Sequence, residues 1–327
     1  AVAELTGDLA ASVEDVALSR SLWIKTAQLH ETQLADFDAA VAAYRKVLEV
    51  DPGDFEVLAA LDLLYRSAQR WHELVGVLRA RVEAHSTPDE KIPVLAEMAR
   101  THADLLDEPD QAIALQNEIL ELDPTNREAL TSLDDLLARR GLWNELADNV
   151  ERQLAMACEI GDRSAEARAT EGVGNALRSL GRYGEAKEYY ERTLEVAREI
   201  GDRAREGNIL ANLGPLWLAL GDTGRARHTL ETSLAVCREI GARFSEAYAW
   251  AGLAAIAHEA GDEDKALDLA TQALTLRREV KHGAGVAQSL VQIGELKSQS
   301  GDGEGAREAL GEALSQMGEL RGQRQPA

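Results

Sequence analysis

The sequence predicts an all-α protein whose helical hairpins stack in series as a solenoid. The first observation is a period of 40 residues in the second half of the chain, which carries Gly181 to Gly221, Gly261 and Gly301. A fixed period of this size is typical of stacked repeats. The second is composition: aromatic residues make up 4% of the chain and prolines number only 7, whereas the helix-favouring Ala, Leu, Glu and Arg are abundant. The 327 residues therefore count repeats rather than separate globular domains.

Residues 1–157 are predicted to form a first block, in which four hairpins follow a period of 72 residues per pair. Ala40 returns as Ala112, and Asp51-Pro52 returns as Asp123-Pro124. Prolines fall at or near helix starts, where a missing N–H group costs least. Residues 1–12 carry the Glu-Leu-x-x-x-Leu pattern of residues 73–78, so they are predicted to be half of a further repeat. The predicted helices span 17–33, 37–50, 54–67, 71–84, 88–105, 109–122, 127–140 and 143–157.

Residues 158–320 are predicted to form a second block of four 40-residue hairpins. Glycine adopts the left-handed conformation that closes a helix without steric cost. We therefore expect Gly181 and its three equivalents to end the first helix of each hairpin, and Gly161, Gly201 and Gly241 to separate the hairpins. Residues 321–327 are predicted to be a disordered tail. The predicted helices span 164–180, 184–198, 204–220, 224–238, 244–260, 264–278, 284–299 and 303–318.

The hairpins share parts of one motif. It consists of Leu213-Gly214 in a first helix, Leu-Gly-Arg-Tyr at 180–183 in a turn, and Ala186 and Tyr190 in a second helix; the first hairpin repeats it with Ala40, Tyr44 and Asp51-Pro52. In these residues the chain resembles the tetratricopeptide repeat (TPR) family along essentially its whole length. The resemblance implies a right-handed α-solenoid of about eight hairpins. The first block is similar to the 34-residue-type repeats of large bacterial proteins, and the second to the extended repeats of signalling adaptors and bacterial regulators.

The charge of the chain bears on its partners. The formal net charge is −22; residues 1–157 hold 14 Lys or Arg and 30 Asp or Glu, which gives −16 for the first block and −6 for the rest. Such a field repels phosphate backbones, so we expect no nucleic acid and a basic or neutral protein or peptide as partner, although most of the charge solvates the outer face. No run of 18 apolar residues occurs, so no membrane span is expected and a cytoplasmic setting is favoured.

No pattern in the sequence indicates catalysis. The chain lacks the nucleophile elbow, zinc-protease and phosphate-loop motifs, and its 7 histidines lack ligand spacing. Gly172-x-Gly174 is expected inside a helix and Gly283-x-Gly285 in a connector, neither after a strand, so neither indicates a nucleotide site. We therefore predict a protein that is not an enzyme and that has no cofactor and no metal.

The TPR resemblance implies a binding face. Such solenoids hold an extended peptide or a partner helix on the concave face, which the first helix of each hairpin lines. Asparagine offers a donor and an acceptor to a peptide backbone, and arginine suits carboxylates. The alternative is that these residues bond only within the solenoid or to water. By register, the candidate groove residues are Arg168, Asn175, Arg178, Asn208, Asn212, Tyr248 and His258, beside Glu171, Ala211 and Ala251.

One TPR subtype, the carboxylate clamp, grips an acidic C-terminus in chaperone adaptors. Asn175 and Asn212 match its two asparagines, but Glu171, Tyr248 and Gly252 stand where the clamp needs basic residues. We therefore expect a different ligand.

Several expectations concern packing. Small residues let paired helices approach closely at Gly174, Gly214, Ala254 and Gly294. Pro215 lies inside a first helix, where it is expected to produce a kink and to widen the groove between Asn175 and Asn212. Cys158 and Cys237 lie about two repeats apart, too far for a disulfide, and are expected to be reduced packing residues. Four tryptophans are expected in the core: Trp71, Trp143, Trp217 and Trp250.

These observations favour three functional hypotheses. The first is a non-catalytic protein-interaction scaffold that binds a peptide or helical segment mainly through residues 164–260. The second is a sensing, regulatory TPR domain of a larger signalling protein. The third is a structural module that self-associates through its terminal hairpins, where Leu310, Leu314 and Met317 are expected to face solvent.

Overall fold

The structure is a computed structural model that describes residues 2–322, with side chains described as far as Glu319. In that part of the chain every regular element is a helix, which confirms the all-α solenoid. The chain divides into two compact units, Ala1–Gly141 and Leu142–Ala327. The boundary expected from the change of period, between residues 157 and 158, stays a prediction. Of the predicted tail, residues 323–327 lie outside the described residues, whereas 321 and 322 belong to the last helix.

The described residues of the first unit form eight α-helices, each of which packs on the next along the chain. The segment expected to be half a repeat is a helix that packs on α2. Two first helices continue into a turn of π-helix, His30–Leu34 and Thr101–Leu105, which adds a residue to the turn. The helices are α1 (Val2–Ser12), α2 (Val16–Leu29), α3 (Phe37–Leu48), α4 (Phe55–Ser67), α5 (Trp71–Ala84), α6 (Pro88–Arg100), α7 (Pro109–Leu122) and α8 (Arg127–Arg140).

The described residues of the second unit form nine α-helices, and again each packs on the next. Their bounds agree with the predicted ones to within a few residues. They are α9 (Trp143–Ile160), α10 (Arg163–Ser179), α11 (Tyr183–Ile200), α12 (Arg203–Ala219), α13 (Thr223–Ile240), α14 (Arg243–Glu259), α15 (Glu263–Glu279), α16 (Gly283–Gln299) and α17 (Gly303–Gly322).

Local sequence determines where these helices begin and end. The Asp162 side chain accepts a hydrogen bond of 2.9 Å from the backbone N–H of Ala165, which has no partner inside the helix. Left-handed residues end the helices, and Lys281 (φ 55°) takes this role where the sequence has no glycine. The predicted glycines do so with φ of 69–88°: Gly161, Gly181, Gly201, Gly221, Gly241, Gly261 and Gly301.

Paired helices of the second unit approach closely at small residues, as predicted. A Cβ atom added at Gly174 would lie 2.8 Å from the Tyr190 ring, and one added at Gly214 would lie still closer to Leu230. In the third hairpin the first helix carries Ala254, and the position of Tyr190 and Leu230 is held by Ala270; both alanines are fully buried. A larger residue in one helix is thus matched by a smaller one in its partner.

Buried carboxylates link successive hairpins. Glu206 in α12 is 5% exposed and accepts hydrogen bonds from Arg198 of α11, at 2.7 Å, and from Arg203 in its own first turn. Burial alone would raise the pKa of Glu206, but the two arginines lower it below its ordinary value. Glu246 in α14 binds Arg238 of α13 in the same way, at 3.0 Å. These ion pairs join the end of one hairpin to the start of the next.

The tryptophans are less buried than expected. Trp217 and Trp250 pack against the core on one side. On their other side lie the guanidinium groups of Arg225, 4.8 Å from the Trp217 ring centre, and Arg238, 4.9 Å from that of Trp250. Cation–π contacts therefore cover the faces that the core leaves open. All four tryptophans are half-buried: Trp71, Trp143, Trp217 and Trp250.

Two further expectations need correction. Gly283 begins α16 and Gly285 lies within it, because the left-handed Lys281 ends the preceding segment and the new helix starts at once. The Gly283-x-Gly285 pair is therefore not in a connector. Cys237 is buried as expected, but Cys158 is exposed in the last turns of α9; both thiols are free.

Within residues 2–322, none of the helices combines the length and the apolar character that a membrane span requires. The same residues contain no group of three or more His, Cys, Asp or Glu side chains that could hold a metal ion.

Candidate functional site

The candidate groove residues lie on three first helices of the second unit, α10, α12 and α14. Helices α12 and α14 pack directly on each other, and they carry Ala211 and Ala251 at the register position that Glu171 holds in α10. The Glu171 carboxylate connects α10 to α12, since it accepts a hydrogen bond of 2.7 Å from Nδ2 of Asn208 and forms an ion pair with Arg205. Burial raises the pKa of Glu171, although Arg205 and Asn208 oppose the change. Asn208 is therefore already engaged.

Asn175 and Arg178 belong to a second part of this network. The Tyr190 hydroxyl of α11 donates a hydrogen bond of 2.6 Å to Oδ1 of Asn175. Burial raises the pKa of that hydroxyl, nearby Arg178 lowers it, and the charge of Glu171 raises it further. The two parts share the α10 face, so three predicted residues, Asn175, Arg178 and Asn208, form one polar network with side chains of the solenoid.

Arg168 and Asn212 differ from these residues. Arg168 is exposed on α10, and Asn212 is half-buried on α12. Neither side chain has a hydrogen bond or an ion pair to any residue that the structure describes. An amide that offers both a donor and an acceptor is thus free beside a free guanidinium, which is the chemistry that an extended peptide backbone or a carboxylate requires.

The two predicted residues of α14 have other surroundings. Tyr248 contacts the Phe244 and His282 rings, with centres 5.2 and 6.1 Å from its own. His258 lies in the last turn of α14, and its Nδ1 is 3.1 Å from both carboxylate oxygens of Glu263 at the start of α15. His258 therefore connects the two helices of its own hairpin.

Sequence reasoning missed a buried arginine beneath Tyr248. Arg277 is 2% exposed, and its Nη1 donates to the carbonyl oxygen of Gly285, at 2.9 Å, and to Oγ of Ser289, at 2.8 Å. Its Cζ lies 4.7 Å from the centre of the Tyr248 ring. Burial lowers the pKa of Arg277; burial and then the charge of Arg277 lower the pKa of His282.

The register explains both the presence of Arg277 and the failure to find it. The same position holds Ala197 and Cys237 in the preceding hairpins, so it reads as apolar. The fourth hairpin also has Val286 where the others have the buried glutamate that pairs with arginine. The one signal in the sequence was this loss of the glutamate, which changes how the last two hairpins are joined.

The comparisons with known proteins agree with this geometry. A family model described as a tetratricopeptide repeat matches residues 165–239 and 245–319, and a second model with the same description matches residues 21–54. No curated protein matches the chain.

Three solved structures are similar to the chain. BtubC (BKLC) from P. vanneervenii has a TM-score of 0.50 and 20% identity over 73% of this chain and 94% of its own. The apo form of RapI has a TM-score of 0.51 and 10% identity over 92% and 98%. A signal transduction ATPase with numerous domains (STAND) from Pyrococcus horikoshii, which has a tetratricopeptide repeat sensor, has a TM-score of 0.53 and 14% identity over 96% and 51%. Likeness at these identities concerns the fold alone.

Proposed function

The chain belongs to the tetratricopeptide repeat family, and on that basis we propose that it is a non-catalytic scaffold that binds an extended peptide or a helical segment of a partner protein against α10, α12 and α14. Repeats of this kind serve protein–protein interaction through extended surfaces built from successive units. The net charge of −22 favours a basic or neutral partner and disfavours nucleic acid.

The observation that carries this proposal is the contrast between engaged and free side chains on one face. Asn175 and Asn208 are held by Tyr190 and Glu171, whereas Asn212 has no partner among the described residues. The network stiffens the face around Asn212, which reduces the ordering that a ligand has to impose on binding. Asn212 then pairs with a peptide group of the partner, and Arg168 contacts a carboxylate or carbonyl further along the same segment.

The test is affinity capture with the full chain as bait, read by mass spectrometry, followed by measurement of the dissociation constant for the purified partner. The variant Asn212→Ala/Arg168→Ala removes both free groups and leaves the polar network intact. We expect the partner to be lost or its affinity to fall at least tenfold. The matched control is Asn144→Ala/Arg307→Ala, which removes the same two residue types from exposed positions of α9 and α17.

A partner that binds both variants equally well would contradict the proposed face. A basic or neutral segment in the captured partner, protected from proteolysis by the wild-type chain only, would support both the site and the predicted chemistry.

A second candidate function is that of a sensing domain in a larger signalling protein. It is supported by the likeness to the STAND protein with a tetratricopeptide repeat sensor, of which this chain covers 51%. The discriminating experiment is small-angle scattering with and without the captured partner. A sensor changes its dimensions on binding, whereas a rigid scaffold adds only the mass of its ligand.

The third candidate is self-association through terminal helices. Leu314 of α17 is 71% exposed, and Leu5 of α1 is 68% exposed, so both terminal helices carry apolar side chains in contact with solvent. Light scattering at rising concentration tests this hypothesis, and a constant monomer mass would remove it.

A further inference from the structure

Gln116 departs from the pattern of the second helices. Each of these helices that carries the recurring alanine has, four positions later, a residue that packs toward the first helix. In α7 that residue is Gln116, which follows Ala112. It is 5% exposed, and its Oε1 has no hydrogen-bond partner among the residues that the structure describes. The equivalents of Gln116 are apolar or aromatic: Tyr44, Tyr190, Leu230, Ala270 and Leu310.

A buried acceptor without a partner destabilises a fold, whereas a leucine or tyrosine at this position adds to the core. The amide is therefore disadvantageous for stability alone. Its presence indicates that a group outside the folded chain supplies the missing hydrogen bond.

Two cavities open on Gln116. Each has a volume of about 220 Å³ and lies between α6 and α8. Gln116, Arg100 and Ser132 line both cavities, so the two meet over these three side chains. Alanines at 96, 99 and 129 form parts of the walls and leave room for main-chain atoms. The result is a polar slot with small walls.

The slot has an acidic group in each cavity. Asp104 lines one cavity and Glu128 lines the other. Both carboxylates are exposed, and neither forms an ion pair with a described residue. Asp135, which also lines the slot, is neutralised by Arg139. Two cationic groups are thus accommodated on either side of a central region that offers an acceptor, Gln116, and a donor, Arg100.

We propose that the slot between α6 and α8 binds a short extended segment of a partner protein that has basic side chains on either side of a small or apolar centre. A main-chain N–H of this segment donates to Oε1 of Gln116, and the neighbouring carbonyl accepts from Arg100. Its basic side chains pair with Asp104 and Glu128. This site lies in the first unit and is independent of the proposed face on α10, α12 and α14.

The chemistry of the slot favours a peptide over a free anion or a lone cation. A peptide group carries one donor and one acceptor, which match Gln116 and Arg100. A lone cation would meet the Arg100 charge at the centre of the slot, and a free anion would meet two unpaired carboxylates. Only a ligand that alternates these properties along its length satisfies all four side chains.

The probe is an array of N-acetylated, C-amidated hexapeptides of the form Lys-x-x-x-x-Lys, with small and apolar residues at the central positions. An extended hexapeptide spans about 20 Å. Counterparts with glutamate at both ends test the charge requirement. The strongest binder is then measured by fluorescence anisotropy against the full-length wild-type chain and its variants.

We expect Lys-ended peptides to bind in preference to Glu-ended ones. Gln116→Leu, which restores the residue type of Leu230, is expected to weaken binding at least tenfold while the melting temperature stays the same or rises. Gln116→Met, which keeps the volume without the amide, provides the same test if the leucine variant does not fold. Asp104→Asn and Glu128→Gln, both at the surface, are each expected to weaken binding about threefold, and Asn212→Ala is expected to leave it unchanged.

Three results would overturn the proposal. They are equal binding by the wild-type chain and the Gln116 variants, a preference for Glu-ended peptides, and failure of every Lys-ended peptide to bind the folded chain. Since the Asn212 variant reports only on the other face, a failure here is distinguishable from a failure of the proposed function.

Discussion

The Tyr190 hydroxyl in α11 lies 2.6 Å from Oδ1 of Asn175 in α10 and donates a hydrogen bond to it. This bond joins the two helices of one hairpin at the point where Gly174 admits the Tyr190 ring. Core packing and the candidate binding face thus depend on the same tyrosine.

Tyr190→Phe removes this bond and little else. We expect a loss of about 1 kcal/mol in the free energy of unfolding, because the Asn175 acceptor is left without its buried donor. Urea unfolding measures the change. The control is Tyr189→Phe, since the Tyr189 hydroxyl reaches Glu151 at 3.3 Å on the surface. Equal losses in the two variants would contradict the structural role of the buried bond.

The arginine pair around Glu206 is expected to act non-additively. Arg198→Ala or Arg203→Ala alone leaves one cation on the buried carboxylate and is expected to cost about 1 kcal/mol. The double variant leaves Glu206 buried without a cation and is expected to cost about 3 kcal/mol. A double-mutant cycle by urea unfolding measures the coupling. A double variant that loses only the sum of the two single losses would refute it.

The contact between Gly214 and Leu230 predicts a compensating pair of substitutions. Gly214→Ala forces a Cβ atom into Leu230 and is expected to cost about 1–3 kcal/mol by overpacking. Adding Leu230→Ala imitates the pair Ala254 and Ala270 of the next hairpin, so the double variant is expected to lose less than the sum of the single losses. Gly184→Ala is the control, because a Cβ atom there meets nothing within 4 Å. Calorimetry gives all four melting temperatures.

His282 is expected to make stability depend on pH. Burial and the Arg277 charge lower its pKa in the folded chain, so the folded chain binds fewer protons than the unfolded chain below about pH 6.5. Stability is therefore lost as the pH falls from about 6.5 toward the lowered pKa. His282→Asn, which preserves a capping residue type, is expected to flatten this part of a melting-temperature profile. His228→Asn, at an exposed position, is the control, and identical profiles for the two variants would exclude the mechanism.

Pro215 separates stability from binding. Helix α12 continues from Arg203 to Ala219 with Pro215 inside it, so one backbone hydrogen bond is missing. Pro215→Ala is expected to stabilise the chain by up to about 3 kcal/mol and to weaken the captured partner if the proline shapes the groove. A raised melting temperature with unchanged affinity would show that the proline has no part in binding.

Much of the fold was predictable because its signals are local. A cap such as Asp162 and a left-handed glycine such as Gly181 act within a few residues, so they set helix ends whatever surrounds them. The same reasoning failed for Gly283, since Lys281 took the left-handed conformation without being a glycine. It also failed for the tryptophans, whose open faces are covered by arginines that no periodicity identifies.

The binding face was less predictable because its state depends on contacts between helices. The register placed Asn175, Asn208 and Asn212 on first helices, but it could not tell that two of them are engaged and one is free. That distinction depends on Glu171 and Tyr190, which come from the facing helices. Gln116 was overlooked because a single polar residue in an apolar register becomes informative only when the space beside it is known.

The glycines that follow α11 and α13, Gly201 and Gly241, have φ of 72° and 69°, and a buried glutamate begins the helix after each. If residues 203–242 were excised, Asp202 would meet Arg243, and Arg198 would face Glu246 across a junction of the same geometry. The hairpin is thus a cassette that can be lost or duplicated in frame, so relatives of this chain are expected to differ in length by multiples of 40 residues.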